Sequence, residues 1–104
     1  MKKLFIDDLR MPASADWTIV RSSQEAIDWL TKNGMPDMIS FDHDLGGNDT
    51  AITIINWIID GLLDGRLSLQ DDFTYTVHSA NPVGKENIIG KMDAIIKHMR
   101  NKYA

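Results

Sequence analysis

Leu4-Phe5-Ile6-Asp7-Asp8 is a short apolar run that stops abruptly at two adjacent carboxylates. It has no polar alternation, the pattern of a strand covered on both faces of a parallel sheet. The same arrangement recurs downstream. Met38-Ile39-Ser40-Phe41 runs into Asp42-His43-Asp44, and Phe73-Thr74-Tyr75-Thr76-Val77 runs into His78-Ser79-Ala80-Asn81. Three strand ends rich in carboxylate or imidazole point to one site at one edge of a sheet. Carboxylates gathered without nearby Lys or Arg repel one another unless a cation or a bound proton relieves them.

The segments between these strands carry helix signals. Trp17-Thr18-Ile19-Val20-Arg21 is β-branched and aromatic and forms another strand. Ser22 to Glu25 has capping-box spacing: the Ser22 hydroxyl accepts from the Glu25 N–H while Glu25 reaches back. Ala26, Ile27 and Leu30 line one helical face, and Gly34 with Pro36 stops the helix. Gly46-Gly47-Asn48 forms a turn, and Asn48 or Asp49 can cap the next helix. That helix places Ile55, Ile58, Ile59, Leu62 and Leu63 in one stripe and ends at Gly65. After Pro82-Val83-Gly84, a last helix sets Ile88, Met92, Ile95 and Met99 on one side. The order β-β-α-β-α-β-α predicts a three-layer α/β domain over residues 1–104, with about four mostly parallel strands and three helices. One link is unusual. Residues 8 to 16 are too few for a helical crossover, so either a bare loop crosses there or the second strand lies at an edge in another orientation.

Composition narrows the function. A chain of 104 residues with 43% hydrophobic and 25% charged residues suits one core. A net charge of −4 argues against an extended nucleic-acid surface but leaves room for a small nucleotide or an RNA terminus. Without cysteine, thiolate ligands and disulfides are excluded. Met1-Lys2-Lys3-Leu4 imitates the head of a signal peptide, but Asp7 and Asp8 interrupt it at once. No stretch reaches the roughly 18 apolar residues of a membrane span, and a cytoplasmic protein is expected.

In open α/β sheets, ligands bind beyond the carboxyl ends of the strands. With the first and third strands adjacent, Asp7, Asp8 and Asp42 come within reach of one ion. An oxygen-only ligand set with water positions suits Mg²⁺ or Mn²⁺. Each of these residues also has a plainer role. An isolated Asp after a strand is usually a turn former, and Asp44 either orients His43, ligates metal or holds the Gly46-Gly47 turn. His43, flanked by two carboxylates, suits a general acid; a solvated histidine is its alternative. His78 is either a satisfied core histidine or a group that positions or deprotonates water. Ser79 and Asn81 can bind phosphate oxygens or cap the turn before Pro82. Arg10 suits phosphate through its forked donors or pairs with Asp8, and Lys85 stands near a helix start where phosphate binding is feasible. The tryptophans and most methionines are packing residues.

Phe5-Ile6-Asp7-Asp8-Leu9-Arg10-Met11-Pro12, Ser40-Phe41-Asp42-His43-Asp44-Leu45-Gly46 and His78-Ser79-Ala80-Asn81-Pro82 together resemble the three ordered motifs of the cyclic-phosphate processing receiver-like domains. The resemblance spans nearly the whole chain. It implies a shortened flavodoxin/receiver-like fold, lacking the first crossover helix and the fifth strand, that acts on cyclic phosphates in settings such as RNA repair. It also matches Asp7, Asp8, Asp42 and Ser79 to the acid, phosphoacceptor and hydroxyl positions of ordinary receivers, whereas His43 and Asp44 are foreign to them. The expected activity is a metal-dependent phosphoesterase on a cyclic nucleotide or RNA end. Asp7, Asp8 and Asp42 hold the ion, His43 and Asp44 supply the proton, and His78 works on water. Arg10, Ser79, Asn81 and Lys85 hold phosphate. A non-enzymatic receiver that sequesters such a nucleotide or binds a partner protein is the alternative, and a phosphoacceptor response regulator is a third.

Overall fold

Four parallel strands lie in the order β2-β1-β3-β4 in the computed structural model, which describes residues 1–102. They are β1 (Lys3–Ile6), β2 (Thr18–Val20), β3 (Met38–Phe41) and β4 (Thr74–Val77). The helices are α1 (Ser23–Asn33), α2 (Ala51–Asp64) and α3 (Pro82–Lys102). This is the expected α/β order, with β1 and β3 adjacent. The doubtful link is a bare loop: residues 7–17 carry the chain from β1 to an edge strand that is nonetheless parallel.

The expected third layer is absent among the described residues. The β2→β3 and β3→β4 crossovers step across the sheet in the same direction, and right-handed connections then put their helices on one face. Leu4, Ile6, Val20, Ile39 and Phe41 join the buried sides of all three helices in a single core that excludes Phe5. Only the β1→β2 step runs the other way, and it has no helix. On that second face Trp17 packs edge-on to Phe5 at 6.0 Å, and the Lys3 ammonium sits 5.1 Å over the Trp17 ring. Phe5 stays buried there under side chains rather than under a helix.

Local signals are mostly realised, with shifts. The Ser22 hydroxyl accepts from the Glu25 N–H at 3.1 Å, but Glu25 reaches back to the Arg21 N–H (2.7 Å), one residue earlier than a capping box requires. Thr50 is the N-cap of α2 without a side-chain bond, and Asp49 instead accepts from the Ser23 N–H at the start of α1 (2.8 Å). The buried stripe of α2 is Ala51, Ile54, Ile55, Ile58 and Leu62, while Leu63 is 52% exposed. It is rotated from the expected one because α2 packs between α1 and α3 as well as on the sheet. Helix α3 begins at Pro82 itself, the first-turn position where a missing N–H costs nothing. No helix of the described residues is long and apolar enough to cross a membrane.

Candidate functional site

Strands β1, β3 and β4 each continue their hydrogen-bond ladder by one residue past the end. Asp7 N–H donates to the Val20 carbonyl (3.2 Å), Asp42 N–H to Ile6 (2.9 Å) and His78 N–H to Phe41 (2.9 Å). Asp7, Asp42 and His78 are thereby fixed at one rim. Side chains alternate along a strand, so these three project to the face without helices. His43 falls on the helical side.

Asp7 is 1% exposed and fully engaged. Its Oδ1 accepts from the N–H groups of Leu9 (2.9 Å) and Arg10 (2.8 Å), an Asx turn that bends the chain away from β1. Its Oδ2 accepts from His78 Nε2 at 2.9 Å, with the Arg10 guanidinium 3.8 Å away. Burial by itself would raise the Asp7 pKa, but the backbone N–H groups of Arg10 and Leu9 and the His78 ring outweigh it and hold the carboxyl below its ordinary range. Asp42 moves the other way. Burial raises it first and the Asp7 charge second, against weaker opposition from Arg10, His78 and the His43 N–H. Asp8 is half-buried beside the Gly46 turn, where a Cβ on Gly46 would lie 3.5 Å from Asp8 Oδ2. Gly46 itself has φ +93°, a conformation that favours glycine. Asp7, Asp8 and Asp42 each offer an oxygen within 4.8 Å of the others. That donor set, hard and anionic, fits a small divalent cation whose remaining positions are filled by water or substrate oxygens.

Both ring nitrogens of His78 are committed. Nδ1 lies 2.7 Å from Ser40 Oγ and Nε2 bonds Asp7, while the ring stacks on Phe5 with centroids 4.6 Å apart and planes 6° from parallel. No lone pair is left for water, so the expected role of His78 as a base toward water is replaced by that of a brace for Asp7. The ring fills part of the space that a second helical layer would occupy.

His43 is not held between two carboxylates as its position in sequence suggested. Its Nδ1 pairs with Asp44 Oδ1 at 3.0 Å, and its ring packs on the first turn of α3, where a Cβ at Gly84 would fall 2.4 Å from His43 Cγ. The Nε2 edge has no hydrogen-bond partner among the described residues. Hydrogen bonds from His43 and then Asn81 hold exposed Asp44 below the ordinary carboxylate range. Asp44 therefore orients His43, the first of the roles open to it.

The expected phosphate ligands divide. Arg10 is half-exposed at the rim, with Nη1 donating to the His78 carbonyl at 2.9 Å. Asn81 is the α3 N-cap: its Oδ1 accepts from the Gly84 N–H (3.0 Å), and Ser79 Oγ accepts from the Asn81 N–H (3.1 Å). Capping therefore occupies Asn81 Oδ1, although Ser79 keeps its hydroxyl proton to give. Lys85 lies within α3 rather than before it, exposed. Arg21, unremarked in the sequence, donates to the carbonyls of Asp7 (3.0 Å) and Arg10 (2.6 Å) and clamps the loop after β1. An Arg closing a strand beside an acidic rim was the available signal. Ser40 was signalled too, as one polar residue in an apolar strand.

A four-stranded parallel sheet with helices on one face, acids after its first and third strands and a hydroxyl after its fourth defines a shortened receiver-like protein. Residues 2–94 match the family described as the cyclic-phosphate processing receiver domain, and the chain belongs to that family. No curated protein and no solved structure matches it.

Proposed function

We propose that this receiver is a divalent-metal-dependent phosphoesterase that opens cyclic phosphates on a nucleotide or RNA end. The observation that carries the proposal is the cluster of Asp7, Asp8 and Asp42, whose oxygens lie within 4.8 Å of one another. Burial first and the Asp7 charge second raise the pKa of Asp42, and a cation would relieve the repulsion between the two carboxylates. The three carboxylates would hold Mg²⁺ or Mn²⁺, which when bound polarises a phosphoryl oxygen and acidifies water. Arg10, half-exposed at the rim, and the Ser79 hydroxyl bind the non-bridging phosphate oxygens. Water attacks phosphorus, and its proton passes to bulk solvent. The bond from phosphorus to one ribose oxygen breaks, and that oxygen takes a proton from His43 Nε2, whose opposite edge is steadied by Asp44. Asp42 as a nucleophile forming a transient acyl phosphate is the variant of this chemistry.

Binding without turnover is favoured by a different observation: His43 projects to the helical side and packs on Gly84, away from the face that carries Asp42. One experiment separates the two. A panel of 2′,3′-cyclic nucleotides, cyclic dinucleotides and RNA ends is assayed with Mg²⁺ or Mn²⁺ and again with EDTA. Metal-dependent turnover that falls on the order of 10²–10⁴ in His43→Ala, and is lost in Asp42→Asn, supports the esterase. Tight binding with recovery of intact ligand overturns it in favour of sequestration.

A further inference from the structure

Three polar side chains, Thr76, Ser40 and His78, meet on the sheet face that carries no helix. Ser40 sits in an otherwise apolar strand and is 5% exposed, in register with Phe5 on one side and Thr76 on the other. The Thr76 hydroxyl donates to Ser40 Oγ at 3.0 Å, and Ser40 Oγ lies 2.7 Å from His78 Nδ1. A hydroxyl has a single proton to give. With Thr76 supplying a donor to Ser40, the Ser40 proton is directed at Nδ1, which must then carry a lone pair. The ring proton is on Nε2, 2.9 Å from Asp7 Oδ2. We propose that Ser40, supported by Thr76, is a positioning residue that fixes His78 as its Nε2–H tautomer and through it orients the Asp7 carboxylate of the acidic cluster.

The opposite tautomer would set the Nε2 lone pair against a carboxylate oxygen and push Asp7 away from its place. Partners behind a ligating group commonly act this way, and their loss lowers metal affinity about 10- to 100-fold. The consequence for affinity rests on the cation site proposed above; the tautomer does not. The test therefore reads both. Long-range ¹H–¹⁵N spectra of the imidazoles are recorded for the wild-type chain, Ser40→Ala, Ser40→Thr and Thr76→Val, with Mn²⁺ binding titrated in parallel. The wild type is expected to show a protonated Nε2 and an unprotonated Nδ1. Ser40→Ala should move both resonances toward a mixture of tautomers and weaken Mn²⁺ at least tenfold, and Ser40→Thr, which keeps the hydroxyl, should restore both. Thr76 is exposed, so Thr76→Val keeps the question answerable if Ser40→Ala fails to fold. A wild-type Nδ1 that bears the proton, or His78 resonances unmoved in Thr76→Val, overturns the proposal. Tautomer mixing in Ser40→Ala in a chain that binds no Mn²⁺ at all upholds the role of Ser40 and removes the cation site alone.

Discussion

Asp7 and Asp42 are carboxylates of one rim with opposite proton affinities, and the difference has consequences for stability. Asp42 is raised above its ordinary 3.8 by burial and by the Asp7 charge. Its ionised form therefore costs stability at neutral pH, and that cost is relieved as pH falls through its folded value. Asp42→Asn is expected to raise the melting temperature of the metal-free protein at pH 7, with the gain disappearing toward pH 4 in melts at the two pH values. Asp7 is lowered from 3.8, so its contribution is present above that value and is lost as pH falls through the lower folded one. In Asp7→Asn, an oxygen can still accept from Leu9 and Arg10, but the amide NH₂ then meets the His78 Nε2–H. Two donors face each other, and urea denaturation should show a loss of about 1–3 kcal/mol.

Elements here are joined by contacts that local propensity does not foresee. Asp49 follows the Gly46-Gly47 turn and looks like the cap of the helix after it, yet it caps α1, which precedes it in the chain. Asp49→Ala should therefore destabilise by about 1 kcal/mol, with amide exchange rising at the start of α1 rather than of α2. In α3, Gly84 occupies the first turn, where Ala would ordinarily gain about 1 kcal/mol. A Cβ there would fall 2.4 Å from His43 Cγ, with Nδ1 at 2.8 Å. Gly84→Ala is expected to lose 1–3 kcal/mol, roughly the cost of overpacking, and to break the His43–Asp44 pair, visible as a shifted His43 ring signal. The strands, the three helices and the stop at Gly65 are legible locally because each has its own period and punctuation. The α2 stripe is less so: Leu63 fits the spacing, but which side of α2 is covered depends on α1 and α3, distant in sequence.

For the whole molecule, a ligand that binds only the folded chain stabilises it by mass action, about 2.7 kcal/mol at 100 times its dissociation constant. Mn²⁺ at that excess should raise the melting temperature of the wild-type chain and leave Asp42→Asn unchanged; an equal rise in both would place the ion elsewhere. The missing layer matters at this scale as well. Because no helix of the described residues covers the face bearing Phe5, Ser40 and Thr76, the acidic rim opens beside a sheet surface covered by Trp17 and the His78 ring instead. His78 thus serves packing and polar support together, which is why it could be read from sequence as either.

Residue type and spacing along the chain were enough to specify a mostly parallel α/β sheet, a first connection too short for a helix and the gathering of Asp7, Asp8 and Asp42, since each strand announces its own end. Folding in three dimensions settled how many layers the sheet has, that His43 turns to the helical side, and that His78 gives both nitrogens to Ser40 and Asp7. Those outcomes depend on the direction of each crossover and on the parity of residues along paired strands. Both are relations between distant segments, and neither leaves a mark on any one of them.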